Sequence, residues 1–158
     1  MQFRFVSIEK LPEPPQIHLV KGNFVHKVLE LLLAHDSEMR TPEAAREAFE
    51  VTKTQYESSV RFIALNLSDD ARDAFFKDSR DILNGYYRME NPRNTKVIGL
   101  ELKLEADFGN FVLGGIIDRL EYDESDQLII SDYKTGKTLQ FGRMFYLLQL
   151  RIWYLIAS

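Results

Sequence analysis

Cysteine is absent from this chain of 158 residues. That absence excludes disulfides, thiolate metal sites and cysteine nucleophiles. Long apolar runs are missing as well. None approaches the ~18–20 residues that a helix needs to cross a bilayer, so no membrane partner is expected. The opening stretch, MQFRFVSIEKLPEPP, carries neither the apolar segment nor the small-residue cleavage site of a secretory signal, which leaves the cytoplasm as the expected compartment. Positive charge is in short supply. Lys and Arg number 20 against 24 Asp and Glu, for a formal net charge of −4. A nucleic-acid partner would therefore have to be held by a local basic cleft rather than by the overall field. Proline is sparse, and three of the five residues, Pro12, Pro14 and Pro15, fall together and make 11–16 an extended entry segment.

What is present is the composition of a folded domain: 45% hydrophobic and 28% charged residues, far from the profile of a disordered chain. The length suits one domain over 1–158. From Gly22 the pattern is helical, with Val25, Val28, Leu29, Leu32 and Leu33 at spacings of three and four marking a buried stripe. Thr41-Pro42-Glu43 reads as a helix start, with Thr41 as N-cap and Pro42 at the first helical position. Helical sequence then continues, with a break, to about Leu65. Ser68-Asp69-Asp70 caps a further helix whose inner side carries Ala71, Ala74, Phe75, Ile82, Leu83 and Tyr86.

After Asn91-Pro92 the texture changes. Residues 97–108, 111–122 and 128–134 read as three strands rich in Val, Ile, Leu, Phe and Tyr. Gly109-Asn110 suits a two-residue hairpin turn, and 123–127 is a polar connection. Met144–Ala157 reads as a helix, apolar almost all round. Helices, then an antiparallel meander, then a helix predict a mixed α/β fold with α+β-like order.

Register carries the functional argument. Pairing Phe108 with Phe111 across the first turn places Glu101 opposite Asp118. Pairing Tyr122 with Leu128 across the second places Asp118 opposite Asp132. Without bulges, Glu101, Asp118 and Asp132 lie in one row, with neighbouring Cβ atoms ~4.5–5.5 Å apart. Lys134 projects from the same face ~7 Å further along. Ile116, Leu120, Leu128 and Ile130 share that face, and carboxylates so placed call for a compensating cation or a shared proton. Asp and Glu oxygens are ligands that Mg²⁺ prefers, and Lys134 could stabilise charge on a phosphate or help to activate water. The set fits metal-assisted phosphodiester hydrolysis. Taken singly, each residue also suits a turn or a solvated strand end, and one bulge would spoil the row.

These residues resemble a known family. Gly115-Ile116-Ile117-Asp118-Arg119, followed by Ile130-Ser131-Asp132-Tyr133-Lys134-Thr135-Gly136-Lys137, is similar to the GxxDR…DYKTG signature of the RecB-like nucleases, a branch of the PD-(D/E)xK superfamily. Gly22-Asn23-Phe24-Val25-His26 with Glu30 resembles that family's GxxxHxxxxE-type helix, here with Glu30 four residues after the His. The resemblance runs from about Phe3 to Ile156, and it is closest to bacterial RecB-family exonucleases. It implies a restriction-endonuclease-like core and a divalent-metal-dependent deoxyribonuclease, using Mg²⁺ or Mn²⁺, in DNA repair or recombination. DNA is then the partner, with a helicase or another recombination protein as a further candidate. By the same resemblance Asp118, Asp132, His26 and the Tyr133 carbonyl would hold the metal, and Asp118, Asp132 and Lys134 would form the catalytic set. Glu30, Glu101 and Gln149 would support it. Arg119 and Lys137, basic residues that flank the motifs, are the first candidates for phosphate contact with DNA.

The chain departs from the family pattern in three places. Four residues after Gln149, where relatives carry Tyr, stands Trp153, with Tyr154 following. The cysteines that hold an iron–sulfur cluster in many relatives have no counterpart, so no such cluster can form within this chain. The chain also ends inside the expected apolar helix, which implies a domain incomplete at both ends. Two other classes of function stand beside the enzyme: a catalytically compromised nuclease-fold module that binds DNA or a protein partner, and a metal-free structural domain.

Overall fold

The computed structural model describes residues 14–107, 109–135, 137–138, 142–143 and 146–151, and side chains up to Thr135 apart from those of Ala106 and Leu113. The first helix, α1 (Ile17–Leu33), begins upstream of Gly22 and buries Phe24, Val25, Val28, Leu29, Leu32 and Leu33. A short 3₁₀ turn leads into α2 (Pro42–Glu57), where the Thr41 side chain accepts from the Ala44 N–H and Pro42 stands at the helix start. The expected break follows, and α3 (Val60–Ile63) is a single turn. Ser68 caps α4 (Asp69–Met89) by accepting from the Ala71 N–H. On α4 the inner side holds Phe75, Phe76, Ile82, Leu83 and Tyr86, whereas Ala74 is exposed, contrary to expectation. Phe24 is the hub of this helical layer. Its ring meets Phe49, Tyr56, Phe75 and Phe76 at centroid distances of 5.1–5.9 Å, edge to face, the geometry that aromatic quadrupoles favour.

The meander forms as expected. β1 (Lys96–Asp107), β2 (Val112–Tyr122) and β3 (Leu128–Lys134) are antiparallel neighbours. Leu100 pairs with Arg119 and Leu102 with Ile117, so the count places Glu101 opposite Asp118. A register shift lies between Val97 and Gly99, beyond the acidic row. Across the second hairpin Tyr122 pairs with Leu128 and Arg119 with Ser131, where the β2–β3 ladder ends, one step short of Asp118 and Asp132. Phe108 lies outside the described residues, but Asp107 pairs with Val112, and Gly109 takes a positive φ of 80° in the turn.

The C-terminal segment differs from its expected helix. β6 (Tyr146–Arg151) is a strand antiparallel to β3, giving a sheet of order β1-β2-β3-β6. Two short strands, β4 (Lys137–Thr138) and β5 (Gly142–Arg143), pair with each other on the way. The physical reason is the open edge of β3, whose N–H and C=O groups are satisfied by a sixth strand. An apolar run without a clear period fits either state, and tertiary pairing decides. Trp153 and Tyr154 lie outside the described residues.

One face of the sheet meets the helices. Ile129 and Tyr133 are buried there with three polar residues, Arg119, Glu121 and Ser131. The opposite side is wetter than expected: Ile116 is 58% exposed. No helix among the described residues is long and apolar enough to cross a membrane.

Candidate metal centre

α1 reaches the sheet at the end of β3. A Cβ on Gly22 would lie 3.0 Å from Thr135 Oγ1, so the glycine permits a close approach. His26 follows one turn later. Its Nε2 donates to the Tyr133 carbonyl at 2.9 Å, and its Nδ1 lies 3.4 Å from Asp118 Oδ1. The other Asp118 oxygen accepts the Tyr133 N–H at 2.7 Å. Asp118 thus bridges to β3 through its side chain just where the backbone ladder stops.

Glu101 completes the group. One ligand atom from each of His26, Glu101 and Asp118 lies within 4.8 Å of the others. Around a six-coordinate ion with ~2.1 Å bonds, donors stand roughly 3 to 4.2 Å apart, so a small inward movement would let these three share one cation. All three are nitrogen or oxygen donors, and a hard divalent ion fits them. Glu101 also holds a φ of +48°, a left-handed backbone in the middle of a strand. Such a residue costs of order 1–3 kcal/mol, and strain of this kind gathers at functional sites.

Protonation follows from these contacts. For His26, burial opposes the charged form, but the Asp118 carboxylate, the Tyr133 carbonyl and Glu101 outweigh it and raise the pKa above its ordinary value. Asp118 is also penalised by burial, yet His26, the Tyr133 N–H and Lys134 hold it below the usual carboxylate range. Glu101 is pushed up by burial and by the negative charge of Asp118. Without a metal, the neighbouring carboxylates favour the charged form of His26.

Other expected residues are placed differently. Asp132 is outside the three-donor group, and its carboxylate is paired with the Lys134 ammonium. Lys134 is near enough to lower the Asp118 pKa. The Tyr133 carbonyl stands beside His26, and Glu30 accepts from Lys27 at 2.8 Å. Asn23, His26, Lys27, Glu30, Tyr56 and Glu101 line a cleft of about 200 Å³ that opens onto the donors. Gln149 lies on β6 opposite Ser131, and its side chain, like that of Lys137, is outside the described residues.

Arg119 requires a correction. Expected at the DNA surface, its side chain is wholly buried. Nη1 donates to Glu90 Oε1 at 2.5 Å and to the Tyr133 hydroxyl at 2.8 Å. Nη2 donates to Glu90 Oε2 at 3.0 Å, Glu121 Oε1 at 2.7 Å and Ser131 Oγ at 3.3 Å. Burial works against the guanidinium charge, but Glu90, Tyr133 and Glu121 more than restore it and raise the pKa. The reason is strand alternation: the residue after Asp118 must face the other way, here into the helices. Glu90 and Glu121 carried no sequence signal for this role, because one caps α4 and the other lies on β2.

The whole chain, residues 1–158, matches the family described as the PD-(D/E)XK nuclease superfamily. The chain belongs to that superfamily. Its helices and antiparallel sheet agree with a restriction-endonuclease-like fold, and the donor group agrees with the divalent-metal chemistry of PD-(D/E)XK nucleases. No curated protein and no solved structure matches the chain.

Proposed function

We propose that this protein is a RecB-like, Mg²⁺- or Mn²⁺-dependent deoxyribonuclease, an exonuclease of DNA repair or recombination formed by one domain over 1–158. The observation that carries the reading is the approach of His26, Glu101 and Asp118 beside the Tyr133 carbonyl, with Lys134 close to Asp118. His26, Asp118, Asp132 and the Tyr133 carbonyl would hold the ion, with Glu101 as a further donor. A bound divalent ion supplies Lewis-acid charge and lowers the pKa of its water. Asp118 and Asp132 orient the site, while Lys134, released from Asp132, places its ammonium beside the scissile phosphate. The cleft along α1, with Lys27 and Tyr56, is the candidate path for the DNA strand, and Lys137 is a further phosphate contact. A helicase or another recombination protein would deliver the substrate.

The test is cleavage of end-labelled single- and double-stranded DNA with Mg²⁺ or Mn²⁺. Lys134→Ala should lower kcat by about 10²–10⁴-fold while Mn²⁺ affinity stays within a few-fold. A wild-type protein that binds Mn²⁺ but leaves every substrate intact would replace the enzyme by a module that binds without cutting.

Metal binding should depend on pH in a defined direction. His26 is raised, so its pair with Asp118 stabilises the metal-free protein fully below the ordinary value of 6.5 and is lost as pH climbs through the folded value. Asp118 is lowered, so its contribution persists above 3.8 and is lost only as pH falls through its folded value. A metal needs His26 neutral and Glu101 ionised. The rise in Tm on adding Mn²⁺ should therefore grow between about pH 6 and pH 8.5. A Mn²⁺-induced rise that shrinks over that interval would contradict His26 as a ligand.

A further inference from the structure

The buried polar cluster behind the metal centre is chemically unusual. One guanidinium faces two carboxylates, Glu90 and Glu121, of which the second is only 5% exposed in its side chain. Ser131 Oγ donates to Glu121 Oε1 at 2.6 Å, and Arg119 lies 5.5 Å from the centre of the Tyr133 ring as well as bonding its hydroxyl. A buried ionic group of this kind is poor evidence for stability in itself, because well-packed apolar residues often do as well. Its position suggests what else it does.

The β2–β3 ladder ends at Arg119 and Ser131. Beyond that point the strands are joined by side chains. Through its main chain Tyr133 gives its N–H to Asp118, and its carbonyl accepts from His26. Through its phenol it is tied to Arg119, and Arg119 is tied to Glu90 at the C-terminus of α4. Tyr133 is thus gripped on both sides of the sheet: by the candidate ligands at its backbone, and by the guanidinium at its ring.

We infer that Arg119 is a positioning residue for the metal centre, acting through Tyr133: with Glu90 and Glu121 it fixes the phenol, and thereby sets the Tyr133 carbonyl and N–H against His26 and Asp118. The inference rests on the proposed metal site for its consequence, although the grip itself exists without metal. Groups behind the ligands that orient them commonly change metal affinity by 10–100-fold. Lysine cannot reproduce the forked set of bonds, since its ammonium is a point donor on a flexible stem.

The experiment compares wild type with Tyr133→Phe and Arg119→Lys, using amide hydrogen exchange without metal and Mn²⁺ titration calorimetry. Tyr133→Phe removes one hydroxyl and leaves the Glu90–Arg119–Glu121 bonds, so it keeps the fold if Arg119→Lys does not. The amide at position 133 should exchange at least about fivefold faster relative to the core amide of Val28, and the Mn²⁺ Kd should rise about 10-fold or more. Phe62→Leu, a core change remote from the site, serves as the stability control and should move both amides together and leave the Kd unchanged. Equal changes at 133 and at Val28 in Tyr133→Phe would mean general destabilisation and overturn the inference. So would an unchanged position 133. Wild type that binds no Mn²⁺ would remove the proposed nuclease reading, while the exchange comparison would still decide for or against the grip on Tyr133.

Discussion

Asp118→Ala should abolish metal-dependent cleavage, with a loss of about 10³-fold or more, and should weaken Mn²⁺ binding to a similar extent. The expectation follows from the two jobs of one carboxylate. Oδ1 faces His26 Nδ1 at 3.4 Å and is a donor of the candidate metal set, while Oδ2 accepts the Tyr133 N–H at 2.7 Å. Alanine removes the charge and leaves that N–H without its acceptor, which costs about 1–3 kcal/mol if water cannot replace it. Asp118→Asn separates the two jobs. Its amide oxygen can still accept from Tyr133, so the fold should lose little stability, whereas the missing negative charge should still eliminate cleavage. His26 should then titrate lower in both variants, because the carboxylate that offsets its burial is gone. NMR titration of His26 and an endpoint DNA assay measure both effects. Cleavage at wild-type rates by Asp118→Ala would end the assignment of the metal centre.

Arg119→Met should be the most damaging single change to the fold, lowering stability by about 3–5 kcal/mol and Tm by roughly 10 °C. Methionine fills much of the volume but leaves Glu90 and Glu121 facing each other beneath the helices without a cation. It also takes the partner from the Tyr133 hydroxyl. The contrast with a surface arginine is sharp. A phosphate contact removed from the exterior would leave Tm within a degree or two and alter DNA affinity. Thermal unfolding followed by circular dichroism distinguishes the cases, and an unchanged Tm would show that the guanidinium is dispensable to the interior.

The same two neighbours, Asp118 and Arg119, show how far sequence reading reaches. Hairpin turns and strand alternation were enough to bring Glu101 and Asp118 into register, because pairing in a meander is set by local turns and by period-two burial. The observed pairs on either side of Glu101 and on to Arg119–Ser131 follow that count. Arg119 was expected at DNA because it flanks the motif, although strand alternation turns it away from Asp118. A guanidinium buried at 0% exposure makes sense only once Glu90 arrives from the end of α4. No spacing in the chain encodes that meeting. The choice among the three acids of the row was not legible in the same way. Glu101 entered the cluster and Asp132 stayed with Lys134, an outcome that depends on the left-handed backbone at Glu101 and on where α1 sets His26.

Tyr146–Arg151 makes the complementary point. Its apolar run met the compositional demands of helix and strand alike, and the unpaired edge of β3 decided between them. By itself the order of amino acids determined the helix starts at Thr41 and Ser68, the meander and its register, and the residue types able to hold a divalent ion. These depend on interactions between residues near in sequence, or paired through short turns. Only the tertiary structure decided which donors converge, that Arg119 faces inward, and that the last described segment is a strand. Those outcomes require surfaces distant in the chain to meet, and the energies involved exist only after they have met.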